Sequence, residues 1–230
     1  MSYSGIKHIF FDLDHTLWDF DLNSKLAYKQ IFEEQKLDLD IDNFISVYEP
    51  LNLAFWRKYR NNEIDKEELR YQRLKTAFDA CKYPLSDEKI NMFADLYIEY
   101  LPNYNHLFEG CKDLLDFLSG KYKLHCITNG FEEVQHLKMD RAKLLPYFDV
   151  ILTAEAAGVK KPDPAIFYKA MEMANASVEN SLMIGDSYEA DIQGAQNVGM
   201  RTIYFNPEKP SNYSSNQVKR LLEIHSLLES

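Results

Sequence analysis

Two aspartates spaced two residues apart, followed by a threonine, are the first residues of this chain that could do chemistry together. Asp12, Asp14 and Thr16 form the pattern D-x-D-x-T directly after the apolar run IKHIFF at 6–11. Alternate residues of a strand project to the same side, so both carboxylates can face one ligand. Two like charges this close are unfavourable unless a cation or a shared proton offsets their repulsion. The pattern therefore predicts a site of that kind or, in the simpler interpretation, a strand end with solvated acids.

Further polar residues occur where later apolar runs end. A Thr-Asn-Gly turn follows the run YKLHCIT, two lysines precede the prolines of GVKKPDP, and IGDSYEAD carries two aspartates. Taken singly, each has an ordinary alternative: a common turn, solvated surface charges, or a helix cap. Together, in this order along the chain, they predict one polar site. The residues are Thr128 and Asn129, Lys160 and Lys161, and Asp186 and Asp191.

Five short apolar runs predict the strands that must position these residues. Helical patterns precede the second, third, fourth and fifth runs, and this alternation is typical of an α/β fold with a doubly wound, Rossmann-like parallel sheet. Ligands of such sheets bind outside the carboxyl ends of the strands, where the polar residues lie. The predicted strands are 6–11, 122–128, 149–153, 181–186 and 201–205.

The segment 18–105 carries helical patterns only. About four amphipathic helices are predicted there, with apolar residues recurring at helical spacing. We therefore expect an α/β catalytic core made of 1–17 and 106–230, with an all-helical domain at 18–105 inserted directly after the acidic turn and lying over it.

The composition of the chain limits the classes of partner that it is expected to bind. The net charge of −10 makes the chain a poor general binder of nucleic-acid polymers, so any phosphate chemistry must rely on a metal ion or on a few placed cations. The sequence shows neither an apolar run of about 18 residues nor a signal-peptide pattern, which argues against a membrane partner. Its three cysteines lack the spacing of a zinc site or a disulfide framework, and this predicts a cytoplasmic protein.

These features together resemble the haloacid dehalogenase (HAD) superfamily. The resemblance rests on D-x-D-x-T, a strand ending in threonine, a lysine directly before a proline, and G-D-x-x-x-x-D, with an insertion like the superfamily's C1-type cap. It implies that Asp12 is the nucleophile, that Asp14 is the general acid/base, and that Thr128 and Lys161 bind and neutralise the phosphoryl group. Asn129, the amide beside Thr128 on the same turn, is a further candidate for phosphate binding.

The resemblance also implies a Mg²⁺ cofactor. Asp12 and Asp186 would bind the ion through their carboxylates and Asp14 through its main-chain carbonyl. Asp191 would orient a neighbouring group, and Ser187 would assist the metal site. Hard carboxylate oxygens are the ligands that Mg²⁺ prefers.

Within the superfamily, the finer resemblance is to pyrimidine 5'-nucleotidases, which implies a nucleoside 5'-monophosphate as the small-molecule substrate. Phosphatases or mutases acting on sugar phosphates or phosphoglycolate remain the alternative, while a 2-haloacid dehalogenase and a receiver-like signalling domain fit less well because Asp14 is present. Trp18, Phe20 and Trp56 are candidate substrate contacts, although aromatic residues at helical spacing more often pack in a core.

Overall fold

The computed structural model describes residues 3–207 and 216–229. The chain divides into two compact units, one comprising 1–19 and 106–230 and the other 20–105. The boundary after residue 19 lies two residues beyond the predicted one. Whether the inserted unit acts as a cap stays a prediction.

The first unit contains a parallel sheet, and the predicted doubly wound α/β fold is confirmed. The strand order is β3-β2-β1-β4-β5-β6, so the chain adds strands on one side of β1 and then returns to its other side. The two-residue strand β6 extends the expected five strands to six in the described part of the chain. The strands are β1 His8–Phe11, β2 Lys123–Thr128, β3 Val150–Thr153, β4 Ser181–Gly185, β5 Arg201–Phe205 and β6 Gln217–Val218.

The second unit is helical, as predicted. Its core is aromatic, and the rings of Tyr28 and Tyr97 stack with their centroids 4.4 Å apart. Asp65 and Glu68 form a capping box at the start of the third helix, where each side chain accepts a hydrogen bond from the main-chain amide of the other residue. The helices are α1 Phe20–Glu34, α2 Ile41–Arg60, α3 Lys66–Ala80 and α4 Asp87–Tyr100, and a 3₁₀ turn follows at Leu101–Asn103.

Helices and short turns of the first unit lie between its strands from β1 to β5. Asp163 caps the helix that begins at Pro164, where proline at the first position has no hydrogen bond to lose. Every helix in the described part of the chain falls short of the length or the hydropathy that a membrane span requires. The helices are α5 Cys111–Ser119, α6 Glu132–Arg141, α7 Ala154–Ala157, α8 Pro164–Met173, α9 Gly194–Asn197 and α10 Glu223–Glu229, with 3₁₀ turns at Leu145–Tyr147 and Val178–Asn180 and a π-helix at Tyr188–Gln193.

The strand order explains why distant residues meet at one edge of the sheet. Strand β1 pairs with β2 on one side and with β4 on the other, and Phe11 is level with Cys126 and Ile184. The residues that follow β1 and β4, and the last residue of β2, therefore share the carboxyl edge of the sheet. This edge includes the point at which the strand order reverses, where open α/β sheets bind their ligands.

Candidate active site

Asp12 continues from β1 into the carboxyl edge of the sheet. Its main-chain amide donates to the carbonyl of Ile184 at 2.9 Å, which extends the pairing of β1 with β4 by one residue. Its side chain is buried and accepts a hydrogen bond from Lys161 Nζ at 2.6 Å. Burial raises the pKa of Asp12 well above the ordinary value, although the Lys161 ammonium opposes the shift.

Hydrogen bonds fix both the main chain and the side chain of Lys161. Its main-chain amide donates to Asn129 Oδ1 at 2.8 Å, and Asn129 Nδ2 donates to its carbonyl at 2.9 Å. Its buried Nζ also donates to the carbonyl of Ile127 at 2.6 Å and lies 2.7 Å from Asp191 Oδ1. Burial disfavours the charged ammonium, but the carboxylates of Asp12 and Asp191 outweigh that effect and raise the pKa of Lys161 above its ordinary value.

Three carboxylates converge beside this lysine. Asp12, Asp186 and Asp191 each place one oxygen within 4.8 Å of the others. Burial raises the pKa of Asp186 to about 6, His15 opposes this rise, and Asp191 adds to it. Lys161 places one positive charge among three carboxylates, so a divalent cation bound by them would offset the remaining repulsion. The donor set therefore fits Mg²⁺, with hard oxygens from Asp12 and Asp186 and no sulfur or nitrogen ligand in the cluster.

Thr16, the last residue of D-x-D-x-T, joins the two strand ends that carry the acids. Its buried hydroxyl donates to Asp186 Oδ1 at 3.1 Å and accepts from the main-chain amide of Asp186 at 3.0 Å. The threonine therefore fixes the loop after β1 against the residue that follows β4. The pattern D-x-D-x-T contains Thr16 but does not by itself indicate this role.

Asp191 is a buried link between the acidic cluster and the backbone. Its Oδ2 accepts from the main-chain amide of Ser187 at 2.9 Å, while its Oδ1 faces Lys161. A Cβ at Gly185 would lie 2.3 Å from Asp191 Oδ2, so only glycine permits this approach. These contacts fit the expected role of Asp191 in orienting Lys161. The Ser187 hydroxyl accepts from the amide of Ala190 at 3.2 Å and caps the following turn, and its assistance to a metal stays a prediction.

Asp14 lies in different surroundings from Asp12. Lys138 Nζ donates to Asp14 Oδ1 at 2.7 Å, and Gln135 Nε2 donates to Asp14 Oδ2 at 2.8 Å. Both partners belong to α6 and are buried, and neither is among the site residues that the sequence predicts. A signal was present: the inward face of α6 consists of Val134, Gln135, Lys138 and Met139, so two polar residues occupy positions at which a core helix would carry apolar ones.

Thr128 ends β2 beside this pair. Its Oγ1 accepts from Gln135 Nε2 at 2.6 Å and from the amide of Gly130 at 3.1 Å. With both acceptor positions of the hydroxyl used, its own proton is free to be donated to an incoming oxygen. The side-chain amide of Asn129, in contrast, holds the backbone of Lys161. This geometry assigns Asn129 to positioning the lysine, and its contact with phosphate stays a prediction.

The three aromatic candidates for substrate contact are divided between the two units of the chain. The Trp18 ring is fully buried, with Lys138 Nζ 4.3 Å from its centroid. A substrate contact of Trp18 stays a prediction. Phe20 and Trp56 belong to the inserted unit, where Phe20 is buried and Trp56 is half-buried against Tyr59, with ring centroids 5.6 Å apart. A substrate contact of these two stays a prediction.

The fold and this arrangement of acids and lysines define a class of hydrolases. A family model described as haloacid dehalogenase-like hydrolase matches residues 9–205, and the chain belongs to this family. Among individual proteins, it is similar to pyrimidine 5'-nucleotidase PynA of Streptococcus pneumoniae, with 37% identity over 224 residues that cover 96% of this chain and 91% of the relative. Pyrimidine 5'-nucleotidase YjjG of Escherichia coli is 31% identical over 225 residues, covering 96% of each chain.

A solved structure extends the similarity to the whole fold. The magnesium-bound HAD-hydrolase YfnB of Bacillus subtilis superposes with a TM-score of 0.89 at 27% identity, covering 98% of this chain and 99% of that chain.

Proposed function

We propose that this hydrolase is a Mg²⁺-dependent phosphatase that forms an aspartyl phosphate on Asp12 and cleaves pyrimidine nucleoside 5'-monophosphates. The observation that carries the mechanism is the separation of the two motif aspartates. Asp12 lies in a cluster with Asp186, Asp191 and Lys161, whereas Asp14 lies between an ammonium and an amide. This difference in surroundings supports attack by Asp12 beside compensating charge and proton transfer by Asp14.

In the first step, a carboxylate oxygen of Asp12 attacks the phosphorus of the substrate. A P–O bond to Asp12 forms, the P–O bond to the nucleoside breaks, and the leaving oxygen takes its electron pair together with a proton from Asp14. Lys161 and the Thr128 hydroxyl contribute positive charge and a hydrogen bond to the phosphoryl oxygens. Mg²⁺ held by Asp12 and Asp186 would supply the charge that offsets repulsion between the carboxylate and the phosphate.

In the second step, water replaces Asp12 on phosphorus. Asp14, now ionised, takes a proton from this water as its oxygen bonds to phosphorus and the bond to Asp12 breaks. Inorganic phosphate leaves, and both aspartates return to their initial states. Division of one difficult displacement into two easier ones is the advantage of a covalent intermediate.

Two similarities support the substrate class. The relatives PynA and YjjG, at 37% and 31% identity across almost the whole chain, both bear the name pyrimidine 5'-nucleotidase. A cytoplasmic location is part of the proposal, and it is supported by three free thiols, two of them buried, at Cys81, Cys111 and Cys126.

The test is phosphate release from a panel of esters in Mg²⁺ and in EDTA. The panel contains pyrimidine and purine nucleoside 5'-monophosphates, hexose phosphates and phosphoglycolate, and the Asp12→Asn variant serves as the matched inactive control. We expect Mg²⁺-dependent release that is fastest from pyrimidine nucleotides. Preference for a sugar phosphate would retain the mechanism and refute the substrate class, while wild-type rates in Asp12→Asn would refute the covalent mechanism.

A further inference from the structure

We infer that Gln135 and Lys138 form a dock for the carboxylate of Asp14 and are positioning residues for its proton transfers. The inference rests on the proposed function, because it assigns the two residues to a reaction in which Asp14 moves protons. It adds to that function two residues of α6 that lie outside the acidic cluster. The term "Asp14 dock" below means Gln135 and Lys138.

The dock occupies both oxygens of the carboxylate with separate donors. Lys138 Nζ lies 2.7 Å from Asp14 Oδ1, and Gln135 Nε2 lies 2.8 Å from Asp14 Oδ2. A carboxylate held at one oxygen can rotate about its bond to the chain, whereas donors at both oxygens fix the plane of the group. Rates of proton transfer depend strongly on such orientation.

Burial of the charged Lys138 side chain costs desolvation free energy, and its surroundings offset that cost. The exposed fraction of its side chain is 3%, and that of its partner Asp14 is 19%. The Trp18 ring lies under the ammonium at 4.3 Å, where the negative face of the indole stabilises a cation. Trp18 thus supports Lys138, which gives a physical reason for the burial of this ring.

Gln135 couples the dock to the end of β2. Its Nε2 donates to Thr128 Oγ1 at 2.6 Å as well as to Asp14, so one amide group sets the distance between the proton carrier and the hydroxyl expected to bind phosphate. Gly130 leaves room for this side chain, because a Cβ there would lie 2.4 Å from both Cδ and Nε2 of Gln135. The turn between β2 and α6 is therefore shaped around the glutamine.

The role of the dock can be separated from a general structural role by the choice of leaving group. A nucleoside leaves as an alkoxide that needs a proton from Asp14, whereas p-nitrophenolate is stable as an anion and leaves without one. Loss of the dock should therefore reduce kcat/KM for uridine 5'-monophosphate much more than kcat/KM for p-nitrophenyl phosphate. A general disturbance of the site would reduce both equally.

The experiment compares Lys138→Met and Gln135→Leu with the wild type on both esters in saturating Mg²⁺. For each variant we expect kcat/KM for the nucleotide to fall by on the order of 100-fold, and that for the aryl ester by less than about tenfold, in the range of general acid–base catalysis. Lys138→Arg, which keeps the cation, should recover part of the loss. The control is Arg141→Met, which removes an exposed cation from the same helix and should leave both rates unchanged.

A double substitution tests whether Lys138 acts through Asp14. In the Asp14→Asn background, Lys138→Met should cause almost no further loss, because residues that act through one group are not additive. An equal fall in kcat/KM for the two esters, or a full additional fall in the double variant, would refute the proposed role of the Asp14 dock. If Lys138→Met fails to fold, as judged by circular dichroism, Gln135→Leu alone decides by the same ratio of rates. Absence of phosphate release from either ester by the wild type would instead refute the proposed function.

Discussion

Replacement of Lys161 by methionine tests the electrostatics of the acidic cluster directly. The lysine side chain is 2% exposed, and its ammonium contacts both Asp12 and Asp191, whose side chains are 11% and 1% exposed. Methionine has a similar length but no charge, so the substitution leaves two buried carboxylates without their shared cation. Removal of one partner from a buried ion pair typically destabilises a protein by about 3–5 kcal/mol.

The size of this loss should depend on pH and on metal. Burial already raises the pKa values of Asp12 and Asp186, and loss of the cation raises them further, so the folded variant binds protons more readily than the unfolded chain. A raised folded-state pKa means that stability decreases as pH increases. We therefore expect a loss of about 3 kcal/mol at pH 7.5 in EDTA and a smaller loss at pH 5.5. Mg²⁺ at 100 times its dissociation constant for the variant should stabilise the variant by about 2.7 kcal/mol, which offsets most of its loss relative to the wild type in EDTA.

Urea unfolding followed by circular dichroism measures these free energies. The matched control is Lys160→Met. It removes the half-buried lysine that lies next to Lys161 and is separated from Pro162 by one residue. A loss below about 1 kcal/mol for Lys161→Met, or a loss that does not change between pH 5.5 and 7.5, would contradict the assignment of Lys161 as the cation that stabilises the cluster.

Three further substitutions or conditions probe other parts of the first unit. Asp14→Asn should lower the rate of phosphate release by on the order of 100-fold or more while leaving Mg²⁺ affinity by calorimetry almost unchanged, since its expected metal contact is a main-chain carbonyl. Gly185→Ala should destabilise the protein by about 1–3 kcal/mol in urea unfolding, because the new Cβ would lie 2.3 Å from Asp191 Oδ2. Burial lowers the pKa of His125 from 6.5 to about 4, so the unfolded chain binds the proton first and stability should fall by about 3 kcal/mol as pH decreases from 6.5 to 4. His125→Gln should reduce that pH dependence, and an unchanged slope would contradict the assignment.

The meeting of Asp12, Thr128 and Asp186 could be predicted because it depends on topology alone. Each residue lies at or just beyond the end of an apolar run, and alternation of strands with helices makes those runs parallel. Parallel strands in one sheet place their carboxyl ends at one edge, whatever the details of packing. Lys161 could be added because the lysine of the family pattern directly precedes a proline.

The Asp14 dock could not be predicted in this way. Lys138 lies 124 residues after Asp14, and a lysine or glutamine on a helix is ordinarily interpreted as solvent-exposed. The register of α6 relative to β1 decides that these two side chains point inward, and that register is a property of tertiary packing. Trp18 illustrates the same limit, because its contact with the Lys138 ammonium likewise depends on the packing of α6 and not on its position in the sequence.

The spacing D-x-D gives two chemically identical groups two different sets of neighbours. Asp12 pairs with Lys161 and faces two more carboxylates, while Asp14 pairs with Lys138 and an amide. In this chain of net charge −10, three lysine or arginine side chains of the described residues are buried, and two of them, Lys161 and Lys138, each pair with one of these acids. A nucleophile benefits from a crowded anionic site that a metal ion can neutralise, whereas a proton carrier needs a fixed orientation and no metal on its side chain. The separate lysines therefore follow from the separate tasks that we propose for the two aspartates.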